Sequence, residues 1–401
     1  MLTLDRIYQA AHTLKAVVRN TNLVPSPNIA QDCTLYLKTE NLQITGSFKV
    51  RGAYFKMAML TEQEKAMGVI ACSAGNHAQG VALAAERLGI KATIFIPSVA
   101  PLSKIEATKR MGAHIEIIDG VYDDAYDAAV DFQQKSGGVF IHPFDDIDVI
   151  SGQGTIGLEI LDQVTDFDAV IVPIGGGGLI CGVAFAIKKL HPSCKVYGVQ
   201  AAGAGSMYKS FMDKQRQSLT GVSTFADGIA VKSPGVHTYE LCEQYVDEII
   251  TVSDDEIATA ILTLMEQQKL VTEGAGAVAV AAVMFDKLPI KGQKVCAIVS
   301  GGNIDVNILS RVINRGLLTT GRLSELRIEM LDKPGQLNEV AAIIASLGAN
   351  VIKVLHNPGG ENTDITSCSL HISMETKNKS HFEEIKQAMQ VAGYSIMEDL
   401  I

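Results

Sequence analysis

From about residue 34 to residue 200 the chain alternates two kinds of patterning. Short β-rich apolar runs, "TLYLKT", "GVIACSAG", "KATIFIP", "HIEIID" and "GVFIHPF", predict strands. Between them, "NHAQGVALAAERLG", "SKIEATKRMG" and "DDAYDAAVDFQQKSG" carry apolar residues at helical spacing and end in Gly, which closes helices in a left-handed cap. A second series follows: "DAVIVPIGGGG", then "LICGVAFAIKKLHP", "KVYGVQ" and later "KVCAIVSGG". Strand-helix-strand alternation implies parallel sheets joined by right-handed crossovers. Two such series predict two α/β lobes, whose ligands belong beyond the carboxyl ends of the strands. The polar, Gly-rich turns "SAGN", "GGGG" and "SGGN" all fall there.

After "RVINRGLLTTGR" the texture changes. "LSELRIEMLDKPGQLNEVAAIIASLGANVIKVLHN" reads as strand, turn, helix, strand; "TDITSCSLHISMETKN" and "HFEEIKQAMQVAGYSIMED" add a strand, a helix and a closing strand. The order β-α-β-β-α-β is ferredoxin-like and complete in itself. The expected division is therefore a body over 1–320 and a small domain over 325–401. Within the body, the small lobe takes about 48–150 and the large lobe the remainder.

Composition narrows the function. The 401 residues are 47% hydrophobic and 19% charged, which suits a large globular core. A formal net charge of −10 and no basic cluster argue against nucleic acid. The longest apolar runs, such as "AGAVAVAAVMF", are too short or broken to span a bilayer, so no membrane partner is expected. The opening "MLTLDRIYQAAHTLKAVV" reads as an amphipathic helix and lacks the features of a signal peptide. Seven scattered cysteines without CxxC spacing fit reduced thiols in a cytoplasmic protein, and neither a disulfide framework nor a zinc site. No His, Cys, Asp or Glu spacing marks a catalytic metal, so no metal-ligand residues are expected. His114, His191 and His237 read as structural or exposed.

Four stretches carry candidate chemistry. Gly175, Gly176, Gly177 and Gly178 stand between an apolar strand and an amphipathic helix. Glycine lets successive backbone N–H groups converge on an anion at a helix N-terminus, so this run reads as a phosphate cup, the alternative being a flexible turn. "SAGNHAQG" is a polar turn opening a helix; Ser73, Asn76 and His77 could grip a carboxylate or phenolic oxygen, or simply cap the helix. Ser300 ends a strand in "VCAIVSGGNID", where its hydroxyl could meet a ring nitrogen, though Ser-Gly-Gly is ordinary turn chemistry. Lys49, in "TGSFKVRGA", opens a helix after Phe48. A lone lysine is usually a solvated helix residue; burial near a helix N-terminus would instead free its amine for chemistry. Together a lysine, a phosphate cup, an oxyanion turn and a strand-end serine would suit a phosphorylated aromatic aldehyde, pyridoxal 5'-phosphate.

On "TGSFKVRGA", "SAGNHAQGVA", "GGGGL" and "SGGN" together, roughly residues 5 to 320 resemble the threonine dehydratase (threonine ammonia-lyase) group. The resemblance implies an α/β body of fold-type II, two-lobed and tryptophan synthase β-like, dependent on pyridoxal 5'-phosphate. The tail "LRIEMLDKPGQLNEVAAIIASLGANV" resembles an ACT domain, a ferredoxin-like regulatory module that often binds amino acids. Carried over by motif, Lys49 would hold the cofactor's aldehyde with Phe48 beside the ring. Gly175 to Gly178 and Leu179 would hold the phosphate, Asn76 the phenolic oxygen and Ser300 the ring nitrogen. Ser73, Asn76 and His77 would receive the substrate carboxylate. Lys49 would then remove the Cα proton of L-threonine, with loss of water and release of 2-oxobutyrate and ammonia; L-serine would give pyruvate.

Three positions bear on the neighbouring activities. Relatives that carry out β-replacement usually have Asp after the lysine; here it is Val50. Serine racemases, the alternative reading, carry a second serine where this chain has Ala74. Their divalent cation sits on carboxylates after the "KVYGV" strand, where this chain reads "QAAGAGS" with Gln200 and Ser206, so a divalent site is not expected, while a monovalent cation on backbone carbonyls stays open. In "DKPGQL", Pro334-Gly335 turn into a helix N-terminus suited to an effector's carboxylate. Such domains usually bind at an interface between copies, so a homo-oligomer, dimer or tetramer, is expected. Feedback by a branched-chain amino acid, as in isoleucine biosynthesis, and simple assembly of subunits stand as equal readings of this domain. A ligand-binding sensor with an inert body is the competing class; an intact Lys49 and Ser300 weigh against it.

Overall fold

A computed structural model describes residues 1–100, 102–358 and 366–397, with side chains except at 102–104 and 107. The described chain divides into two compact units, Met1–Ile308 and Leu309–Ile401. This division falls inside the helix Val306–Thr320, earlier than the "RVINRGLLTTGR" break on which the sequence reading placed its boundary.

The first unit holds two sheets. One has six strands in the order Leu23–Pro25, Thr34–Lys38, Lys294–Ile298, Ala169–Pro173, Lys195–Ala201 and Glu248–Val252. Only its first pair is antiparallel. The other has four parallel strands, ordered His114–Ile118, Ala92–Pro97, Val69–Cys72 and Val139–Phe140. "VIAC" and "AVIVP" are buried at every position, as central parallel strands covered on both faces must be. Separate apolar cores form around each sheet, with Ile150, Val170, Ile180 and Ile298 in the larger lobe and Ala71, Val81 and Ile94 in the smaller.

Two expectations change. "GVFIHPF" pairs only over Val139–Phe140. Past Ile141 the chain leaves the sheet, because Pro143 has no N–H to give a ladder, and Phe144 and Asp145 donate instead to His142 Nδ1. The edge strand Glu248–Val252 was not read from the sequence; three of its five residues are exposed or only partly buried, and polar Glu248 and Thr251 dilute its apolar signal.

Glycines set the helix spacing around the long helix Ile147–Gln163. A Cβ on Gly152 would come within 2.6 Å of Arg51 O and 2.7 Å of Gly52 Cα, so the helix Lys49–Ala58 crosses it backbone to backbone. Two residues on, a Cβ on Gly182 would strike Ile150 O and Gly154 N, which brings the helix Gly178–Leu190 equally close. One helix therefore positions both the lysine's helix and the helix behind the glycine loop.

The second unit is an antiparallel sheet ordered Asn350–Pro358, Ser367–Glu375, Leu323–Leu331 and Ser395–Ile396, with helices Gln336–Ser346 and Lys379–Val391. This is the ferredoxin-like order. The start of "TDITSC" and the end of "SIMED" lie outside the described residues.

Candidate active site

Lys49 is the first residue of its helix, entered from Phe48 without a side-chain cap. An isolated bridge pairs Ser47 with Gly301, and Phe48 N–H donates to Ser300 O at 3.2 Å. Those two contacts fasten the lysine beside the end of the strand Lys294–Ile298, although Ser300 is remote in sequence. On its other side, a Cβ on Gly80 would sit 3.1 Å from Lys49 C, so the helix Asn76–Leu88 packs directly on the lysine's backbone.

The Lys49 amine donates to Pro143 O at 2.9 Å and lies 5.4 Å from the Phe48 ring centroid. Burial lowers its pKa to about 8, while the negative charge of Glu273 pulls the other way. The neighbouring Arg51 has a separate task. It is fully buried, with Glu40 at 2.8 Å and Glu159 at 2.6 Å, and Glu159 also takes Lys38 at 2.6 Å. Two cations meet two carboxylates there, so the helix is anchored by a compensated buried network.

Asn76 is gripped at both ends of its amide. Its Nδ2 donates to Glu273 Oε1 at 2.6 Å, and its Oδ1 accepts from Asn303 Nδ2 at 2.7 Å. Asn303 also donates to Thr45 O at 2.8 Å. An amide nitrogen carries two hydrogens, so Asn76 keeps one for a ligand oxygen. Ser73 Oγ accepts from Gly75 N–H at 3.1 Å. His77 is turned inward. Its Nε2 lies 2.7 Å from Ile141 O, a carbonyl that can only accept, and burial drives its pKa down to about 3. The ring is therefore neutral and committed, which leaves only the backbone N–H of His77 for a carboxylate. Ser300 is buried, its Oγ donating to Ala275 O at 3.2 Å.

The glycine loop is required by packing as well as by any anion. Side chains at Gly176 or Gly178 would drive into Phe144, and one at Gly177, where φ is +104°, would meet Thr238. Thr238 Oγ1 donates to Gly176 O at 2.6 Å and fixes the loop from behind. The helix starting at Gly178 has no side-chain cap, so its first N–H groups face the loop mouth without a protein side chain on them. Phe144 follows Pro143, whose carbonyl holds Lys49, and so links the loop to the amine.

Glu273 and Asn303 are site residues that sequence reading missed. Glu273 stands just before the helix Gly274–Met284 in "TEGAGA" and Asn303 in the turn "SGGNID"; in both, a lone polar residue among glycines gives no periodic signal. Gln200, in the strand Lys195–Ala201, accepts from Tyr208 N–H through Oε1 at 2.7 Å, and Ser206 Oγ donates to Val231 O at 2.8 Å.

An uncapped glycine-rich loop, a buried lysine with a lowered pKa and a strand-end serine define the site of a cofactor-dependent α/β enzyme. The chain belongs to the family of pyridoxal-phosphate dependent enzymes, whose family model matches residues 14–301. It is similar to an L-threonine ammonia-lyase of Thermotoga maritima, at 50% identity over 99% of both chains. Among solved structures, the processed threonine deaminase isoform 2 of Solanum lycopersicum superposes with a TM-score of 0.73 at 39% identity, covering 78% of this chain and 88% of that one. Maize serine racemase superposes with a TM-score of 0.74 at 35% identity, covering 79% and 98%. The residues present fit the cofactor this family uses: an amine lowered to about 8 for its aldehyde, and an uncapped helix start for its phosphate.

Proposed function

We propose that this chain eliminates water from L-threonine, and from L-serine, to give 2-oxobutyrate or pyruvate and ammonia. Identity of 50% to an L-threonine ammonia-lyase over the whole length is the observation that carries this reading. Lys49 holds the cofactor's aldehyde beside Phe48; Gly175 to Gly178 and Leu179 hold its phosphate; Asn76 and Ser300 meet its phenolic oxygen and ring nitrogen. When bound, the cofactor supplies an electron sink for the pair left at Cα once the proton there is removed.

The protein's own groups do the rest. Ser73, Asn76 and the backbone N–H of His77 orient the substrate carboxylate at a helix N-terminus. Lys49, displaced by the substrate amine, is the base for the Cα proton; its pKa of about 8 keeps a useful neutral fraction near neutrality. The β-hydroxyl would take up a proton and leave as water, and Lys49 would retake the aldehyde carbon and release the substrate nitrogen as a free enamine, whose hydrolysis yields the oxo acid and ammonia. Ser300, with its O–H turned from Ala275 O to the ring nitrogen, would offer an uncharged donor, which does not favour a protonated ring and so favours prompt elimination.

Serine racemisation is the second reading, supported by the fold shared with maize serine racemase. Ala74, which offers no acid or base from the opposite face, weighs against it. The second unit serves, in this proposal, as an ACT-type module. Gly335, at φ +96°, enters the helix Gln336–Ser346 without a side-chain cap, which supports an amino-acid effector held between copies of a homo-oligomer. Free thiols at all seven cysteines support a reducing, cytoplasmic setting. Among the described residues no helix is long and apolar enough to cross a membrane.

The deciding assay is 2-oxobutyrate release from L-threonine with added pyridoxal phosphate, beside Lys49→Ala. Rapid release that disappears in the variant is expected. Turnover of L- or D-serine with none of threonine would move the assignment to the racemase. No turnover of either would leave a ligand sensor.

A further inference from the structure

Three side chains outside the active site converge at one end of the second unit's sheet. Asp332 follows the strand Leu323–Leu331, His356 lies on the edge strand Asn350–Pro358, and Cys368 lies on the strand Ser367–Glu375 between them. The register explains the meeting. Cys368 stands opposite Met330 on one side and Pro358 on the other, while His356 stands opposite Leu370, two residues along from Cys368. Residues two apart in a strand share a face, so His356 reaches Cys368 along the diagonal. Asp332 N–H donates to Thr366 O at 2.9 Å, which fixes the turn beside them.

The three ligand atoms, a carboxylate oxygen, an imidazole nitrogen and Cys368 Sγ, all lie within 4.8 Å of one another. His356 Nε2 is 3.4 Å from Asp332 Oδ1. That is long for a hydrogen bond, which prefers about 2.7–3.2 Å. It matches the edge of a tetrahedron built on bonds of about 2.0–2.1 Å, roughly 3.3 Å. Cys368 is fully buried, whereas the side chains of His356 and Asp332 are 42% and 53% exposed. The cluster thus has a sulfur floor and a mouth open to solvent.

We propose that Asp332, His356 and Cys368 bind a zinc-class divalent ion, with three protein ligands and a fourth position open to water. Sulfur and imidazole together select zinc or its borderline-soft neighbours over magnesium or calcium, which take oxygen. The ion ties the edge strand to the core strand and to the turn that leads into the helix Gln336–Ser346. Eight of the edge strand's nine residues are exposed, and within this chain it pairs on one side alone. Nothing in the sequence spacing reveals the set, because the register of three strands assembles it.

The test uses the full-length chain, stripped with chelator and titrated with zinc, with metal analysis after dialysis. One ion per chain at micromolar zinc is expected. Binding should be lost in Cys368→Ser and in His356→Gln, weakened in Asp332→Asn, and kept in Cys33→Ser. Threonine turnover without effector should be unchanged in all four. Cobalt gives an independent signature, a thiolate-to-metal band in the difference spectrum between the parent chain and Cys368→Ser. His356 is exposed, so His356→Gln keeps the fold even if the buried Cys368→Ser does not. Failure of the parent chain to retain zinc, or retention by His356→Gln equal to the parent's, would overturn the site.

Discussion

A lysine amine with a pKa of about 8 is neutral in about one molecule in ten at pH 7, against about one in 2,500 for an unperturbed lysine. Burial makes that difference, and Glu273 limits it by favouring the ammonium. The sign is testable through cofactor uptake, since only the free amine condenses with an aldehyde. The uptake rate of the cofactor-free protein should rise with pH to a midpoint near 8. Glu273→Gln keeps an oxygen to accept from Asn76 but removes the charge, so its midpoint should fall below 8. A midpoint that stays near the ordinary lysine value, or that rises in Glu273→Gln, would contradict the electrostatics. The sequence made Lys49, Ser300 and the glycines legible because each stands in a distinctive turn. It could not show that the imidazole of His77 is spent on Ile141 O, nor that Glu273 faces the amine, because both depend on contacts between remote segments.

At the scale of elements, helix Ile147–Gln163 is the common support of the site. Gly152 lets the lysine's helix rest on it and Gly154 admits the helix behind the glycine loop. Gly152→Ala would put a Cβ 2.6 Å from Arg51 O, a backbone atom that cannot swing aside. Overpacking of this kind costs about 1–3 kcal/mol. Denaturant unfolding should register that loss, and threonine turnover should fall further than stability does, because Lys49 moves with its helix. Unchanged stability and turnover would show that the two helices are free to slide apart. Most strands of this body, and helices such as Asn76–Leu88 and Gly178–Leu190, were readable from apolar periodicity, whereas the supporting helix Ile147–Gln163 and the edge strand Glu248–Val252 were not. The truncated strand at Val139–Phe140 was not, because "IHPF" is as apolar as a strand and only the missing N–H of Pro143 betrays the exit.

For the whole molecule, the two units have separate apolar cores. Leu326, Ile344, Leu370 and Ile385 pack with one another in the second, while the clusters of the first draw on residues up to Ile298 alone. The two solved structures compared cover 78–79% of this chain while using 88–98% of their own, and the family model matches residues 14–301, which lie in the first unit. A chain ending at Thr320 is therefore expected to fold, take up pyridoxal phosphate and turn over threonine within a few-fold of the parent's rate. What it should lose is any response to branched-chain amino acids. Measuring oxo acid release across an isoleucine titration, on parent and truncated chain, separates the two contributions. A parent that responds while the truncated chain turns over at a flat rate would assign regulation to the second unit. A parent that does not respond would leave that unit an assembly module, with subunit count by light scattering as the property that truncation changes. A truncated chain that folds, binds cofactor and yet turns over nothing would mean that catalysis itself needs the second unit, which the independence of the two cores argues against.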